Sequence, residues 1–167
     1  MRMLNKLSKA VNGAAEWFIA ICLGVMSVVV FAQVVCRLVA GSLPWSEELS
    51  RYLMIYMVYI GTAVGIHKGN HIAVEFVMSL CPEKVQKLVE IIMDILMMVA
   101  FVVLCYYGMK IVNITMMQKS PAMQIKMGYV YMSMVIGGVL MFFDAFVDML
   151  NAITGYKPEE EKGEIAE

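Results

Sequence analysis

Four long apolar stretches, each bounded by charged or helix-breaking residues, organise the chain. Trp17 to Cys36 carries no charge, and neither does Tyr52 to Ile66. A third stretch reaches Gly108 with only Glu90 and Asp94 in its first half, and a fourth runs uncharged from Met127 to Phe143 before meeting Asp144 and Asp148. Crossing a bilayer takes about 20 residues of helix. The pattern therefore predicts an all-α integral membrane protein with four transmembrane helices, over about 15–39, 47–66, 86–109 and 127–149. The second uncharged run is short for a span, so the Glu47–Arg51 turn must lengthen it towards the interface. The first is too long for a secretory signal, whose apolar region is about 7–15 residues, and it reads as a retained helix with Trp17 at the interface.

The connections are distinct. Gly41-Ser42-Leu43-Pro44 breaks the first helix, and Trp45-Ser46-Glu47-Glu48 opens the second. Ser42 and Ser46 both suit a cap, and the two glutamates suit the positive end of a helix dipole. From His67 to Lys87 the chain is polar with apolar teeth: Ile72, Phe76 and Leu80 recur every four residues. That spacing predicts a short amphipathic interfacial helix over about 71–81, ending before Pro82. Ser120-Pro121 marks a turn between the third and fourth helices. Residues 1–155 form one four-helix membrane domain, and 156–167 read as a disordered, acidic cytoplasmic tail.

Composition agrees. The chain is 61% hydrophobic and 16% charged, with a mean hydropathy of +0.75, whereas a soluble domain is about 45–50% apolar and 25% charged. A cytosolic enzyme, a disordered regulator and a disulfide scaffold are excluded on that ground, and a net charge of −1 gives no sign of a nucleic-acid partner. Lysines and arginines set the orientation. With the N-terminus in the cytoplasm, Arg2, Lys6, Lys9, Lys68, Lys84, Lys87, Lys157 and Lys162 fall inside, against Arg37, Arg51, Lys110, Lys119 and Lys126 outside. Both termini are expected in the cytoplasm.

Candidate chemistry is sparse. His67, His71 and Glu75 have zinc-like spacing, but Gly69 and Asn70 interrupt the helix that would align them, so no metal is assigned. Haem is excluded in the same way, since no histidine lies inside a span. The 18 methionines are spread over all four spans, as flexible apolar packing requires, and Cys22, Cys36, Cys81 and Cys105 read as small fillers. No nucleophile–base set is present, so no catalytic residue and no cofactor are expected. Two features stand out. Glu90/Asp94 and Asp144/Asp148 each share a helix face, and Asp94 and Asp144 are the deeper members, expected to pair helices rather than conduct ions. Arg37, Trp45, Glu47, Glu48 and Arg51 gather at the opposite end, as a salt-bridged hairpin or a docking face for another protein.

In order along the chain, Arg37, Pro44-Trp45-Ser46-Glu47-Glu48-Leu49-Ser50-Arg51, Gly61-Thr62-Ala63, His67-Lys68-Gly69-Asn70-His71-Ile72-Ala73-Val74-Glu75, Pro82 and Ser120-Pro121-Ala122-Met123 resemble the small membrane subunit of tripartite ATP-independent periplasmic (TRAP) transporters. The resemblance covers about residues 15–150. An aromatic near Met127 and a proline near Val135, frequent in that family, are missing here. It implies a bacterial inner-membrane scaffold in a sodium-coupled importer of an organic acid, a C4-dicarboxylate or sialic acid for example. Its partners would be a large elevator-type membrane subunit, a periplasmic substrate-binding protein and membrane lipids, with cargo and sodium handled elsewhere. Arg37, Trp45, Glu47, Glu48 and Arg51 are then candidates for partner contact. Gly61, His71, Glu75, Asp94 and Asp144 are candidates for contact or structure. The contact with the large subunit would be mostly apolar, using small residues such as Gly24, Gly61, Gly65, Gly137 and Gly138 for close approach. The competing class is a stand-alone proton-coupled exporter acting as a homodimer, which would need an essential acid deep within a span.

Overall fold

A computed structural model describes residues 2–39, 41, 43–68 and 83–154. The described residues form four α-helices: α1 (Arg2–Val39), α2 (Pro44–Lys68), α3 (Glu83–Thr115) and α4 (Met127–Thr154). All four are long and apolar enough to cross a membrane. The interfacial helix expected over 71–81, with His71 and Glu75, and the acidic tail from 156 lie outside the described residues.

The helices run past the uncharged stretches because nothing breaks them there. α1 starts at Arg2 and contains no proline. It ends where Gly41 adopts φ +106°, a conformation costly for any residue with a Cβ, and the Gly41 N–H closes on the Cys36 carbonyl at 2.9 Å. α2 begins with Pro44, whose missing N–H is not needed in a first turn. Ser46 behaves differently from the cap expected of it: its hydroxyl donates back to the Leu43 carbonyl at 2.7 Å instead of accepting from a backbone N–H. Between α3 and α4 the chain makes a miniature hairpin. Lys119 bridges Lys126, the Ser120 N–H donates to the Ile125 carbonyl at 2.9 Å, and Gln124 takes a left-handed φ of 55°.

α4 is the hub. Of its apolar window 44% is buried within the chain, against 22% for α2, 11% for α3 and 6% for α1. α3 packs on α4, α4 on α2 and α2 on α1, while α1 meets α4 over a much smaller area. A small apolar cluster of Ala15, Ile60 and Val64, backed by Ile19, Tyr56 and Leu140, fills the place where α1, α2 and α4 converge.

Two adjacent glycines let α4 serve two neighbours. A Cβ at Gly137 would come within 2.8 Å of the Tyr59 carbonyl oxygen on α2, and one at Gly138 within 2.7 Å of the Cys105 sulfur on α3. Both glycines are therefore occupied inside the chain, which corrects the expectation that they receive a partner. Gly61 lies in ordinary contact with Ile19, whereas Gly24 and Gly65 face open space. Replacing Gly137 with alanine is expected to push α2 off α4 and cost about 1–3 kcal/mol, whereas Gly65→Ala should be neutral. Thermal denaturation of the purified chain in detergent, comparing the two midpoints, checks this.

Candidate functional site

Polar side chains gather at the two ends of the helix layer, and each end does a different job. At the end holding the N-terminus of α1, Asp144 of α4 is 2% exposed, with Ser8 and Asn12 of α1 equally hidden at 1% and 4%. These contacts converge on one carboxylate oxygen: the Ser8 hydroxyl donates to Oδ1 at 2.7 Å, Asn12 Nδ2 donates at 2.9 Å, and His67 Nδ1 of α2 lies 3.5 Å away. His67 Nδ1 also lies 3.2 Å from Ser8 Oγ. The serine's single proton is committed to Asp144, so this contact requires a proton on Nδ1 that donates to the hydroxyl. Three helices thus meet on one buried acid.

The same face of α1 extends in both directions. Asn5 and Asn151 exchange amide hydrogen bonds at 3.2 and 3.0 Å, so Asn5, Ser8 and Asn12 form a polar stripe at helical spacing, continued by the apolar Ala15 and Ile19. Asp144 stands out in the sequence but these partners do not, because Arg2, Lys6 and Lys9 make the segment look like an ordinary basic flank. The signal was the three-four spacing of small polar residues running into Ala15. Lys68 Nζ pairs with Glu16 Oε1 at 2.8 Å nearby, an exposed pair of little energetic weight. Asp94 of α3 is also buried, at 1% exposure.

At the opposite end, the expected bridge from Arg37 to Glu47 or Glu48 is not found among the described residues, because both acids are engaged elsewhere. Glu48 Oε1 accepts the Ala122 N–H and Oε2 the Met123 N–H, each at 2.9 Å. Two successive amides in a tight turn form a natural cradle for a carboxylate. Glu48 thereby pins the α3–α4 hairpin to the first turn of α2, joining two motifs that lie more than 70 residues apart in sequence. Glu47 accepts from Gln33 Nε2 of α1 at 3.2 Å. Arg37, Trp45 and Arg51 stay exposed. Deeper in, the Tyr56 hydroxyl donates to the Tyr129 carbonyl at 2.7 Å.

Between these ends the surface is apolar. A groove between α3 and α4 is lined by Ile95, Met98, Val99, Val102, Val103, Phe142 and Met149, which gives an organic acid no hydrogen-bond donor. No set of three metal-ligating side chains occurs among the described residues.

This is the chemistry of a multi-pass membrane protein whose polar groups fasten its own helices. Residues 26–155 match the DctQ component of tripartite ATP-independent periplasmic transporters. The chain belongs to that family, one of transporter subunits of the bacterial inner membrane rather than of enzymes. It is 28% identical over 158 residues to a Haemophilus influenzae chain described as a TRAP transporter small permease protein, covering 94% of both. It is 25% identical to the sialic acid TRAP transporter small permease protein SiaQ of Vibrio cholerae, over 89% of this chain and 86% of that one. It is 32% identical over 114 residues to the sialic acid TRAP transporter permease protein SiaT of Haemophilus influenzae. That match takes 68% of this chain but only 17% of SiaT.

Replacing Glu48 with alanine is expected to release the hairpin. Hydrogen exchange at the Ala122 and Met123 amides should speed up selectively, with amides in the middle of α4 unchanged. Asp144→Ala, which strands two buried donors, should cost about 2–4 kcal/mol and lower the thermal midpoint far more than Glu48→Ala.

Proposed function

We propose that this chain is the stationary small subunit of a sodium-coupled importer. In that assembly a large membrane subunit moves an organic acid by an elevator motion, and a periplasmic binding protein delivers it. An elevator domain slides only if something else stays fixed in the bilayer, and a layer of four cross-bonded helices enlarges that fixed part. The observation that carries this reading is the state of Asp144: the buried acid of α4 is engaged by Ser8, Asn12 and His67 of its own chain. It works as a fastening between helices, which also disfavours the stand-alone exporter. Relatives named for sialic acid transport support an organic acid as cargo, with selectivity residing in the other two components.

With both termini in the cytoplasm, the Asp144 cluster lies at the cytoplasmic end and the Glu48 hairpin at the periplasmic end. There Arg37, Arg51, Lys119, Lys126 and Trp45 are exposed, and these four cations outnumber Glu47 and Glu48. That leaves a basic, aromatic-edged surface suited to steering an acidic patch on the binding protein.

The large subunit and binding protein produced without this chain are expected to show only background uptake in proteoliposomes; full uptake would refute the scaffold role. In the complete system, Arg37→Glu with Arg51→Glu should weaken binding-protein affinity several-fold, most strongly at low salt, while leaving subunit copurification unchanged. Glutamate substitutions are the wrong probe for docking, because Glu48 holds the hairpin.

A further inference from the structure

Of the groups gathered on the buried acid of α4, one can change its charge. Ser8 and Asn12 bring neutral donors to Asp144 Oδ1, at 2.7 and 2.9 Å. His67 brings a ring that is neutral or cationic within the physiological range. It directly follows the uncharged run that ends at Ile66 and precedes Lys68, so it stands past the edge of the span. Its side chain is 25% exposed, against 2% for Asp144. The ring can therefore exchange protons with water while the carboxylate behind it stays covered.

Nδ1 carries a proton in either state. The Ser8 hydroxyl gives its one hydrogen to Asp144, which leaves only a lone pair to meet Nδ1 at 3.2 Å. The second ring nitrogen decides the charge: a proton there makes the ring a cation 3.5 Å from the Asp144 carboxylate. The surroundings favour that cation. Asp144 and Asp148 face the ring from α4, and Glu16 faces it from α1. Lys68, next in sequence, is itself paired with Glu16 at 2.8 Å. A carboxylate covered from water is screened less than an exposed one, so it attracts its neighbour more strongly. The ring also lies in the last turn of α2, where unpartnered carbonyls draw positive charge. The hydrogen bond to Asp144 outweighs the partial burial that disfavours the charged ring.

We infer that His67 and Asp144 form a proton-operated clasp between α2 and the α1–α4 pair, tight when the ring is a cation and weakened when it is neutral. The proton that leaves comes from Nε2, so the Nδ1 contact with Ser8 persists and only the ionic attraction is lost. The clasp acts at one end of the layer. At the other, Glu48 is held by backbone amides, which do not titrate near neutral pH. An alkaline cytoplasm would thus loosen one end while the hairpin keeps its grip. Which compartment is sensed rests on the orientation proposed above; a reversed orientation would change the compartment and leave the titration as it is.

The charged ring's contribution is complete below the midpoint of a histidine in the unfolded chain, about pH 6.5, and is lost as pH rises past the higher midpoint of the folded one. The test uses the full chain purified in detergent. Magnetic resonance of the imidazoles, with His71→Gln leaving a single ring, should show His67 titrating above about pH 6.5, and Asp144→Asn should return it towards that value. The thermal midpoint should fall by about 2–4 °C between about pH 6 and pH 8. His67→Gln, which keeps a donor but cannot take a charge, should flatten that fall. Titration of His67 at or below the ordinary value would overturn the clasp, with no variant of the cluster needed to read it. So would a pH dependence that persists in His67→Gln, or a ring midpoint that Asp144→Asn leaves in place.

Discussion

Lipid tails are as apolar as leucine, so a bilayer gives helices no hydrophobic reason to leave it for one another. The four helices of this chain must therefore be held by close backbone approach and by hydrogen bonds between side chains, and both devices converge on α4. Gly137 and Gly138 admit α2 on one side and α3 on the other. Nearly two turns further on, Asp144 gathers α1 and α2. The far end is closed by Glu48 on the hairpin that leads into α4. The Asn5–Asn151 and Tyr56–Tyr129 hydrogen bonds add further ties from α1 and α2 to the same helix.

The layout that results is a layer with α4 and α2 inside and α1 and α3 at the flanks, and this shape carries the functional reading. A closed bundle would bury its apolar faces against itself. Here the flanking helices leave most of theirs uncovered, 6% and 11% of the apolar windows being buried in the chain. Such a layer has abundant surface for lipid and for a larger neighbour, and the buried acid of α4, Asp144, already has partners. Membership of the DctQ family places this shape within a transporter.

The spans were legible in the sequence because a bilayer permits only long uncharged runs, and such runs are hard to hide. Asp144 was legible for the same reason, as an acid too deep to be incidental. Its partners were not: Ser8 and Asn12 lie more than 130 residues away, in a segment whose lysines dominate its appearance. Glu48 was conspicuous but assigned the wrong kind of contact. Its partners are backbone N–H groups, which every residue but proline carries, and no side-chain pattern announces them. Gly137 and Gly138 advertised close approach without revealing which helix approaches.

That grip on main chain has an evolutionary corollary. Because Glu48 holds the peptide groups of Ala122 and Met123 and not their side chains, those two positions are free to change identity without loosening the hairpin. Only a proline there would remove a gripped N–H. The tip of the hairpin can thus diversify from one transporter to the next while its anchor, a single glutamate on another helix, stays constant.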